Sequence, residues 1–389
     1  MLCNFGGVLK LNRKINVYLM YIIVFLQGFV FYGPIATIYR QNRGLSMSSI
    51  FLIESISWVL MIIFEIPWGW FSDKFGYKKT LVISNFLFFI SKIIFYKAYS
   101  FEMFFLERVL LSLSISGLSG CDTALIYSSI EDDESEKIFG RYNAFSTVGF
   151  LIASLVSSFL VKYSMDSTAF WTIIPYGLAA ILTLFIKDTK IEHEKKPKLK
   201  QSLLTALKNK NIIILVLSAA LISEVVQAVS VFLNQSQYLR SGIDIKYFGI
   251  LTAVMQIVCL SSVKAYKLSN KLGKNKSIQI LYMIISICCT ILVFASNAAL
   301  TILSIILLCG SASIISPIIL DIENKSITTM DRATLLSVYA MCGDLIGAGA
   351  NIIIGKTADI STPASFITCT IMCLCAYILF IVYKRKVTV

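Results

Sequence analysis

The sequence predicts an all-α membrane protein of twelve transmembrane helices, arranged as two pseudo-symmetric six-helix bundles. Three observations lead to this class. The 389-residue chain is 57% hydrophobic and only 15% charged, whereas soluble domains are nearer a quarter charged. Its apolar residues fall in long continuous runs, and a single polar segment divides those runs into two equal sets.

The apolar runs are long enough to cross a bilayer. A spanning helix needs about 20 mostly apolar residues, and continuous runs favour helices over the alternating strands of a membrane barrel. We expect spans at 16–38, 47–70, 80–97, 103–127, 142–161, 168–186, 211–234, 247–266, 277–296, 299–320, 334–355 and 363–383. The first run, after Lys14, is longer than a signal-peptide core, so we expect it to remain as a helix.

The polar segment at residues 187–210 is rich in lysine and separates the runs six and six. It predicts a basic cytoplasmic linker between an N-terminal bundle of residues 1–186 and a C-terminal bundle of residues 211–389. A linker of this composition is too polar to enter the hydrocarbon core.

The two halves resemble a diverged repeat. Gly273 follows the eighth run as Gly76 follows the second, and Asn270 stands where Asp73 does. Matches in consistent order indicate a duplicated six-helix unit. Because Asn270 carries no charge, we expect the second loop to form a weaker electrostatic contact on the inner side than the first loop.

The net charge of +13 reflects topology rather than nucleic acid. Most Lys and Arg residues fall in alternate loops, and this positive-inside asymmetry predicts that both termini are cytoplasmic. We expect the lipid bilayer, and no nucleic acid, as a partner. The cysteines lie almost entirely in apolar runs without metal-ligand spacing, so we expect no metal and no cofactor.

The segment 69–80 is the most specific motif of the chain. Its pattern G-x-x-x-D-K-x-G-x-K-K is formed by Gly69, Asp73, Gly76, Lys78 and Lys79. The glycines permit a sharp turn, and an aspartate can face the positive N-terminal end of a neighbouring helix.

This loop resembles the signature loop of the major facilitator superfamily of transporters, and Phe64–Pro67 and Ser119–Tyr127 resemble its bacterial drug-exporter branch. The resemblance covers essentially the whole chain. It implies a monomer in the bacterial plasma membrane whose loop 69–80 gates the inner side, with Asp73 facing helix 11. It also implies that Lys78 or Lys79 pairs with an acid at the end of helix 4, either Glu131 or Asp132.

The fifth predicted helix departs from the exporter pattern. Antiporters of this family often carry Gly-Pro-x-x-Gly-Gly there, but residues 149–158 keep Gly149 and several small residues without the proline or the paired glycines. The resemblance therefore leaves import open as well as export.

Acids inside a bilayer are costly and usually functional. Five are expected at depth within predicted helices: Glu54, Glu65, Asp122, Glu224 and Asp344. A carboxylate partly stripped of water holds a proton more readily than one in water. We therefore predict proton coupling at Glu224, Asp344, Glu54 and Asp122. Hydrogen bonding between helices is the alternative role for Glu224, Asp344 and Asp122, and neutralisation of Lys92 or Arg108 is the alternative role for Glu54. Glu65 lies nearer the inner end and is also a candidate latch residue.

The substrate-binding candidates are polar or aromatic residues in predicted cavity-lining helices: Gln27, Tyr32, Trp58 and Gln227. The leading hypothesis is export of a small amphiphilic or cationic compound by proton antiport with alternating access. One alternative is a proton symporter that imports a small nutrient. Another is a membrane sensor or assembly partner that does not transport. The chain has no nucleotide-binding G-x-x-x-x-G-K-[ST] motif and no catalytic constellation, so we do not expect an enzyme.

Overall fold

The structure is a computed structural model that describes residues 3–130, 135–188, 210–327 and 332–387. All regular secondary structure within these four ranges is helical. The predicted all-α class is therefore confirmed for the described part of the chain.

The described residues up to 188 form eight α-helices. They are α1 (Cys3–Gln27), α2 (Ala36–Gln41), α3 (Met47–Phe75), α4 (Tyr77–Lys97), α5 (Phe101–Leu118), α6 (Cys121–Tyr127), α7 (Ser135–Leu160) and α8 (Met165–Thr183). The described residues from 210 onward form eight more. They are α9 (Lys210–Gln227), α10 (Asn234–Arg240), α11 (Phe248–Cys259), α12 (Ala265–Leu272), α13 (Lys274–Phe294), α14 (Ala298–Ser326), α15 (Arg332–Ile360) and α16 (Thr362–Val387).

Ten helical segments of the described chain are long and apolar enough to cross a membrane. Among them, Phe101–Tyr127 joins α5 to α6 and Asn211–Arg240 joins α9 to α10. The first and sixth predicted spans correspond to α1 and α8, which are helical but fall outside this set of ten. The arrangement of twelve spanning helices therefore remains a prediction.

The first predicted span, 16–38, is interrupted in the structure. Helix α1 ends at Gln27, and the chain turns through a 3₁₀ segment, Gly33–Ile35, before α2 begins. The backbone N–H of Phe31 donates to Oγ1 of Thr172 at 3.0 Å instead of to a helical carbonyl. Proline at position 34 also has no N–H to continue the helical ladder.

Polar caps explain where several helices begin. Oγ of Ser100 accepts from the backbone N–H of Met103 at the start of α5, and Oγ of Ser164 accepts from Ser167 at the start of α8. An N-cap side chain of this kind satisfies a backbone donor that the helix itself leaves unpaired. The short polar turns thus stop one helix and start the next.

The two loops predicted to correspond share one backbone conformation. Gly76 connects α3 directly to α4 with φ 95° and ψ 157°, and Gly273 connects α12 to α13 with φ 81° and ψ 149°. This region of backbone space is essentially restricted to glycine. The matched geometry supports the sequence match between the two halves.

The chain forms two compact units. Unit 1 comprises Met1–Ile35 and Ser57–Glu194, and unit 2 comprises Ala36–Ile56 and Lys195–Val389. The predicted linker lies mostly in residues 189–209, outside the described residues, so its boundaries stay a prediction. Unit 2 thus contains α2 and the first turns of α3 as well as the helices from α9 onward.

Within unit 1, α1 and α7 cross at two glycines. A Cβ at Gly28 would lie 2.7 Å from the carbonyl oxygen of Ser146, and a Cβ at Gly149 would overlap the carbonyl oxygen of Phe25. Small residues at membrane helix crossings let the backbones approach this closely. The small residues noted at 149–158 therefore serve helix packing here.

Within unit 2, side chains from α10 and α15 cap the N-terminal ends of α2 and α3. Oε1 of Gln235 accepts from the backbone N–H groups of Thr37 at 2.8 Å and Ile38 at 3.2 Å. Oδ1 of Asp359 accepts from the backbone N–H of Ser48 at 3.0 Å. Both contacts satisfy donors that a helix leaves unpaired at its start.

Candidate functional site

Glu224 lies near the end of α9 and is buried, with 5% of its surface exposed. It faces α15, where Gly343, Gly347 and Asn351 recur every four residues and so share one face. Gly347 makes room for the acid, because a Cβ at that position would overlap Oε2 of Glu224. The sequence of α15 thus builds a recess for this carboxylate.

Glu224 and Asn351 are short of polar partners. Among the described residues, Oε1 of Glu224 and both polar side-chain atoms of Asn351 are buried without a hydrogen bond. The Asn351 amide lies opposite the Glu224 carboxylate, close to hydrogen-bonding distance but without the geometry of a hydrogen bond. Buried polar groups without partners are costly, and in native structures they often mark a functional role.

Glu54 and Asp344 approach the same carboxylate. Glu54 lies in the part of α3 that belongs to unit 2, and it is 7% exposed. Nε2 of Gln227 donates to Oε1 of Glu54 over a long 3.5 Å. Glu54 and Asp344 both act on Glu224 as like charges. Unit 2 therefore brings together three of the predicted proton-coupling residues.

A π-helical segment, Ala228–Leu233, directly follows the end of α9 at Gln227. The backbone N–H of Asn234 bonds to the carbonyl of Val229, five residues earlier, and its side-chain Nδ2 donates to the carbonyl of Ser230 at 2.8 Å. The extra residue in this turn shifts the face on which later side chains lie. Asn234 therefore does not keep the regular α-helical register with Glu224, and π turns of this kind are frequent at functional sites.

Asp122 belongs to unit 1 and has a different environment. Its Oδ2 accepts from the hydroxyl of Tyr142 at 2.8 Å, and its Oδ1 accepts from the backbone N–H of Thr123. It lies just after a helix break at Gly120, whose φ is 76°. These contacts favour the alternative role for Asp122, hydrogen bonding between helices. Glu65, in contrast, is exposed on α3.

Three substrate-binding candidates lie in unit 1. Nε2 of Gln27 donates to Oδ1 of Asn85 at 2.7 Å, and the hydroxyl of Tyr32 accepts from Nζ of Lys92 at 2.9 Å. Trp58 is partly exposed, and its Nε1 is buried without a hydrogen bond among the described residues. Gln227 is the fourth candidate and lies in unit 2 beside Glu54.

The predicted gating loop is helical on both sides of Gly76. Asp73 and Gly69 are half-buried near the end of α3. In the first turn of α4, Lys78 is half-buried and Lys79 is exposed. The predicted partners of these lysines, Glu131 and Asp132, lie outside the described residues. The loop geometry is thus clear, but the pairing stays a prediction.

The sequence analysis missed Glu107. This acid lies on α5 with 1% of its surface exposed, and both of its carboxylate oxygens are buried without a hydrogen bond among the described residues. Its position inside the predicted span 103–127 was the available signal.

A charged contact at the second loop was also missed. Lys274, directly after Gly273, forms an ion pair with Asp321 near the end of α14, and Lys325 pairs with the same acid at 3.1 Å. The i,i+4 spacing of Asp321 and Lys325 was the only signal in the sequence. The second loop therefore holds a charge contact to α14 despite the neutral Asn270.

One relative of known function matches part of the chain by sequence. The chain is 24% identical over 186 residues to the quinolone resistance protein NorA of Staphylococcus aureus, a match that covers 48% of this chain and 47% of the relative. The chain thus spans about half the length of this relative.

Two solved structures share the fold over nearly the whole chain. The nucleoside transporter NupG has a TM-score of 0.78 at 14% identity, covering 96% of this chain and 98% of that one. A D-xylose-proton symporter has a TM-score of 0.70 at 14% identity, covering 95% and 96%. At such low identity the likeness concerns the fold alone.

The family itself follows from a match to a family model over residues 17–351, most of the chain. That model describes membrane transporters, which agrees with the apolar helices and with the paired loops at Gly76 and Gly273. The chain is a multi-pass membrane protein and belongs to the Major Facilitator Superfamily.

Proposed function

We propose that this chain is a secondary active transporter that exports a small amphiphilic or cationic compound in exchange for protons. In this proposal it works by alternating access as a monomer in the bacterial plasma membrane, with twelve spanning helices and both termini in the cytoplasm. Loop 69–80, through Gly69, Asp73, Gly76, Lys78 and Lys79, gates the inner side.

The observation that carries the proposal is the environment of Glu224. Its Oε1 is buried without a hydrogen bond among the described residues, and Glu54 and Asp344 add negative charge nearby. Three carboxylates in a site of low dielectric resist being charged together. A proton or a cationic group therefore satisfies the cluster, and competition between the two couples substrate release to proton uptake.

The substrate class follows from the same chemistry. A buried acidic cluster beside polar Gln227 attracts cations and repels anions. A relative that matches half of this chain is named for quinolone resistance, which supports a compound of drug-like size.

Dye accumulation in living cells tests the direction of transport. Cells that express the chain are loaded with ethidium, a cationic amphiphile, and fluorescence is followed with and without a protonophore. We expect lower accumulation in expressing cells, restored to the control level by the protonophore and by Asp73→Ala. Equal accumulation with ethidium, rhodamine 6G and tetraphenylphosphonium, with the protein present in the membrane, would argue against export.

Import by proton symport is the second candidate function, and the sequence and packing of α7 support it. The segment 149–158 lacks the proline and paired glycines of family antiporters, and Gly149 is used in the close crossing with Gly28. A symporter predicts acidification of the cytoplasm when its nutrient is added outside the cell. An exporter of cationic dyes produces no such signal.

A further inference from the structure

Unit 2 contains a group of sulfur atoms that the proposed function leaves unused. Met255 and Cys259 lie on α11, and Cys309 lies on α14. Met255 is 5% exposed and Cys309 is 4% exposed, whereas Cys259 is half-buried. The thiol of Cys309 donates to Sδ of Met255 at 4.0 Å, so these two sulfur atoms face each other across the helix pair.

Two further contacts set the register of α11 against α14. A Cβ at Gly310 would lie 3.0 Å from Cγ1 of Val258, and the hydroxyl groups of Ser261 and Ser313 lie 3.3 Å apart just beyond the end of α11. The contacts advance toward the C-terminus on both helices, so the pair is parallel. The missing side chain at position 310 lets the two helices approach closely at this level.

Cys259 and Cys309 are the chain neighbours of Val258 and Gly310, so they lie within one helical turn of the same level. Side chains on a helix lean toward its N-terminus. This direction brings the thiol of Cys259 back toward Met255, four residues earlier on the same face. Cys259 is also close enough to Cys309 for charges on the two thiols to interact. Three sulfur atoms from two helices therefore lie in one small region of unit 2.

Tyr238 on α10 orients the thioether of this group. It is 1% exposed, and its hydroxyl donates to Sδ of Met255 at 3.8 Å. Thioether sulfur is a weak acceptor, and this hydroxyl engages one of its two lone pairs. The second lone pair remains for the Cys309 thiol, or for an ion that takes the place of the thiol proton.

The chemistry of these ligands selects a soft metal ion. Thiolate and thioether sulfur favour ions such as Cu(I). Three metal–sulfur bonds of about 2.3 Å in a trigonal plane hold the sulfur atoms about 4 Å apart, and the sulfur atoms of Met255 and Cys309 are 4.0 Å apart. A monovalent ion bound by one thiolate and two neutral sulfur groups carries no net charge, which suits a buried site. Structural Zn²⁺ takes four ligands, and this group supplies three.

We propose that Met255, Cys259 and Cys309 form a binding site for a soft monovalent metal ion, Cu(I) or Ag(I). Binding replaces the thiol proton of Cys309 with the ion. The S–H bond breaks, the thiolate forms a bond to the metal, and the proton leaves to water. Cys259 and Met255 complete the coordination through sulfur lone pairs, and neither the metal nor the sulfur changes its oxidation state.

The spacing of the cysteines gave no sign of this site, and the sequence analysis expected no metal. Cys259 and Cys309 are 50 residues apart. Among the described residues, no three His, Cys, Asp or Glu side chains could hold a metal ion together, so the site depends on the thioether of Met255. It is independent of the proposed export and its direction, because it uses neither Glu224 nor the gating loop.

Anaerobic titration of the full chain in detergent with Cu(I), against a chromogenic Cu(I) chelator, tests the site. The native chain should bind one ion tightly, and X-ray absorption should show sulfur ligands at about 2.3 Å. Tyr238→Phe should weaken binding about tenfold, as expected for an outer-shell partner. Met255→Leu and Cys309→Ala remove ligands and should weaken binding further.

Cys375→Ala, at an exposed position of α16, is the matched control and should bind Cu(I) as tightly as the native chain. Met255→Leu nearly conserves volume, so it keeps the test decisive if Cys309→Ala does not fold. Native affinity in Met255→Leu would overturn the inference, because the sulfur atoms would then only pack together. A loss in Cys375→Ala as large as that in Met255→Leu would also overturn it, because the ion would then be held adventitiously by exposed thiols.

Discussion

Gly347 on α15 lies directly against the carboxylate of Glu224 on α9, so that a methyl group at position 347 would occupy the place of Oε2. The room for a buried acid is therefore provided by a missing side chain on the facing helix. This relationship ties a backbone feature of α15 to the chemistry proposed for α9.

Gly347→Ala should displace the Glu224 carboxylate and reduce protonophore-sensitive ethidium efflux by about tenfold, which corresponds to about 1.4 kcal/mol. The matched control is Gly349→Ala, two residues along the same helix, where a Cβ meets nothing within 4 Å. It should leave efflux unchanged, because alanine is otherwise the better helix former. Equal effects of the two substitutions would contradict the packing argument.

Gly76→Ala should destabilise the fold through the backbone. With φ 95° and ψ 157°, alanine at this turn carries strain of about 1–3 kcal/mol. Unfolding in detergent, followed by tryptophan fluorescence, should show a lower midpoint. Gly140→Ala, within α7 and with nothing within 4 Å of the added Cβ, should show no loss; an unchanged midpoint for Gly76→Ala would refute the strain argument.

Gln235→Ala should cost more stability than Asp359→Ala. The Gln235 side chain is buried and satisfies two backbone N–H groups, and each orphaned buried donor costs about 1–3 kcal/mol. Asp359 is exposed, so water replaces its bond to Ser48 and the loss should stay near 1 kcal/mol. The same unfolding measurement compares the stability lost by the two variants. A larger loss for Asp359→Ala would show that burial of the capping side chain does not determine the stability loss.

Most helices of this fold could be predicted from the sequence, because a membrane-spanning helix requires a long and mostly apolar run of residues. The turn at Gly76 and its repeat at Gly273 could be predicted for a different reason, because few residues other than glycine tolerate that backbone conformation. Helix interruptions were harder. The break after Gln27 involves a tertiary hydrogen bond, from the backbone N–H of Phe31 to Thr172, which no local pattern records. The π-helical segment after Gln227 contains no proline or glycine that would mark it in the sequence.

The candidate site was only partly predictable. Glu224 and Asp344 stood out because acids are rare in apolar helices, but the approach of Glu54 to Glu224 depends on tertiary structure, which the sequence pattern does not show. Glu107 was missed because depth near a span end cannot be assigned from hydropathy alone. The small residue that makes the site possible, Gly347, has no chemical signature of its own.

Proton movement in inverted membrane vesicles tests most directly the claim that Glu224 carries the exchanged proton. Respiration acidifies the vesicle interior, and ethidium is then added while a pH-sensitive dye reports the gradient. The account predicts that ethidium dissipates the gradient with the native chain and with Glu102→Gln, but not with Glu224→Gln at equal expression. Dissipation by Glu224→Gln at the native rate would contradict it.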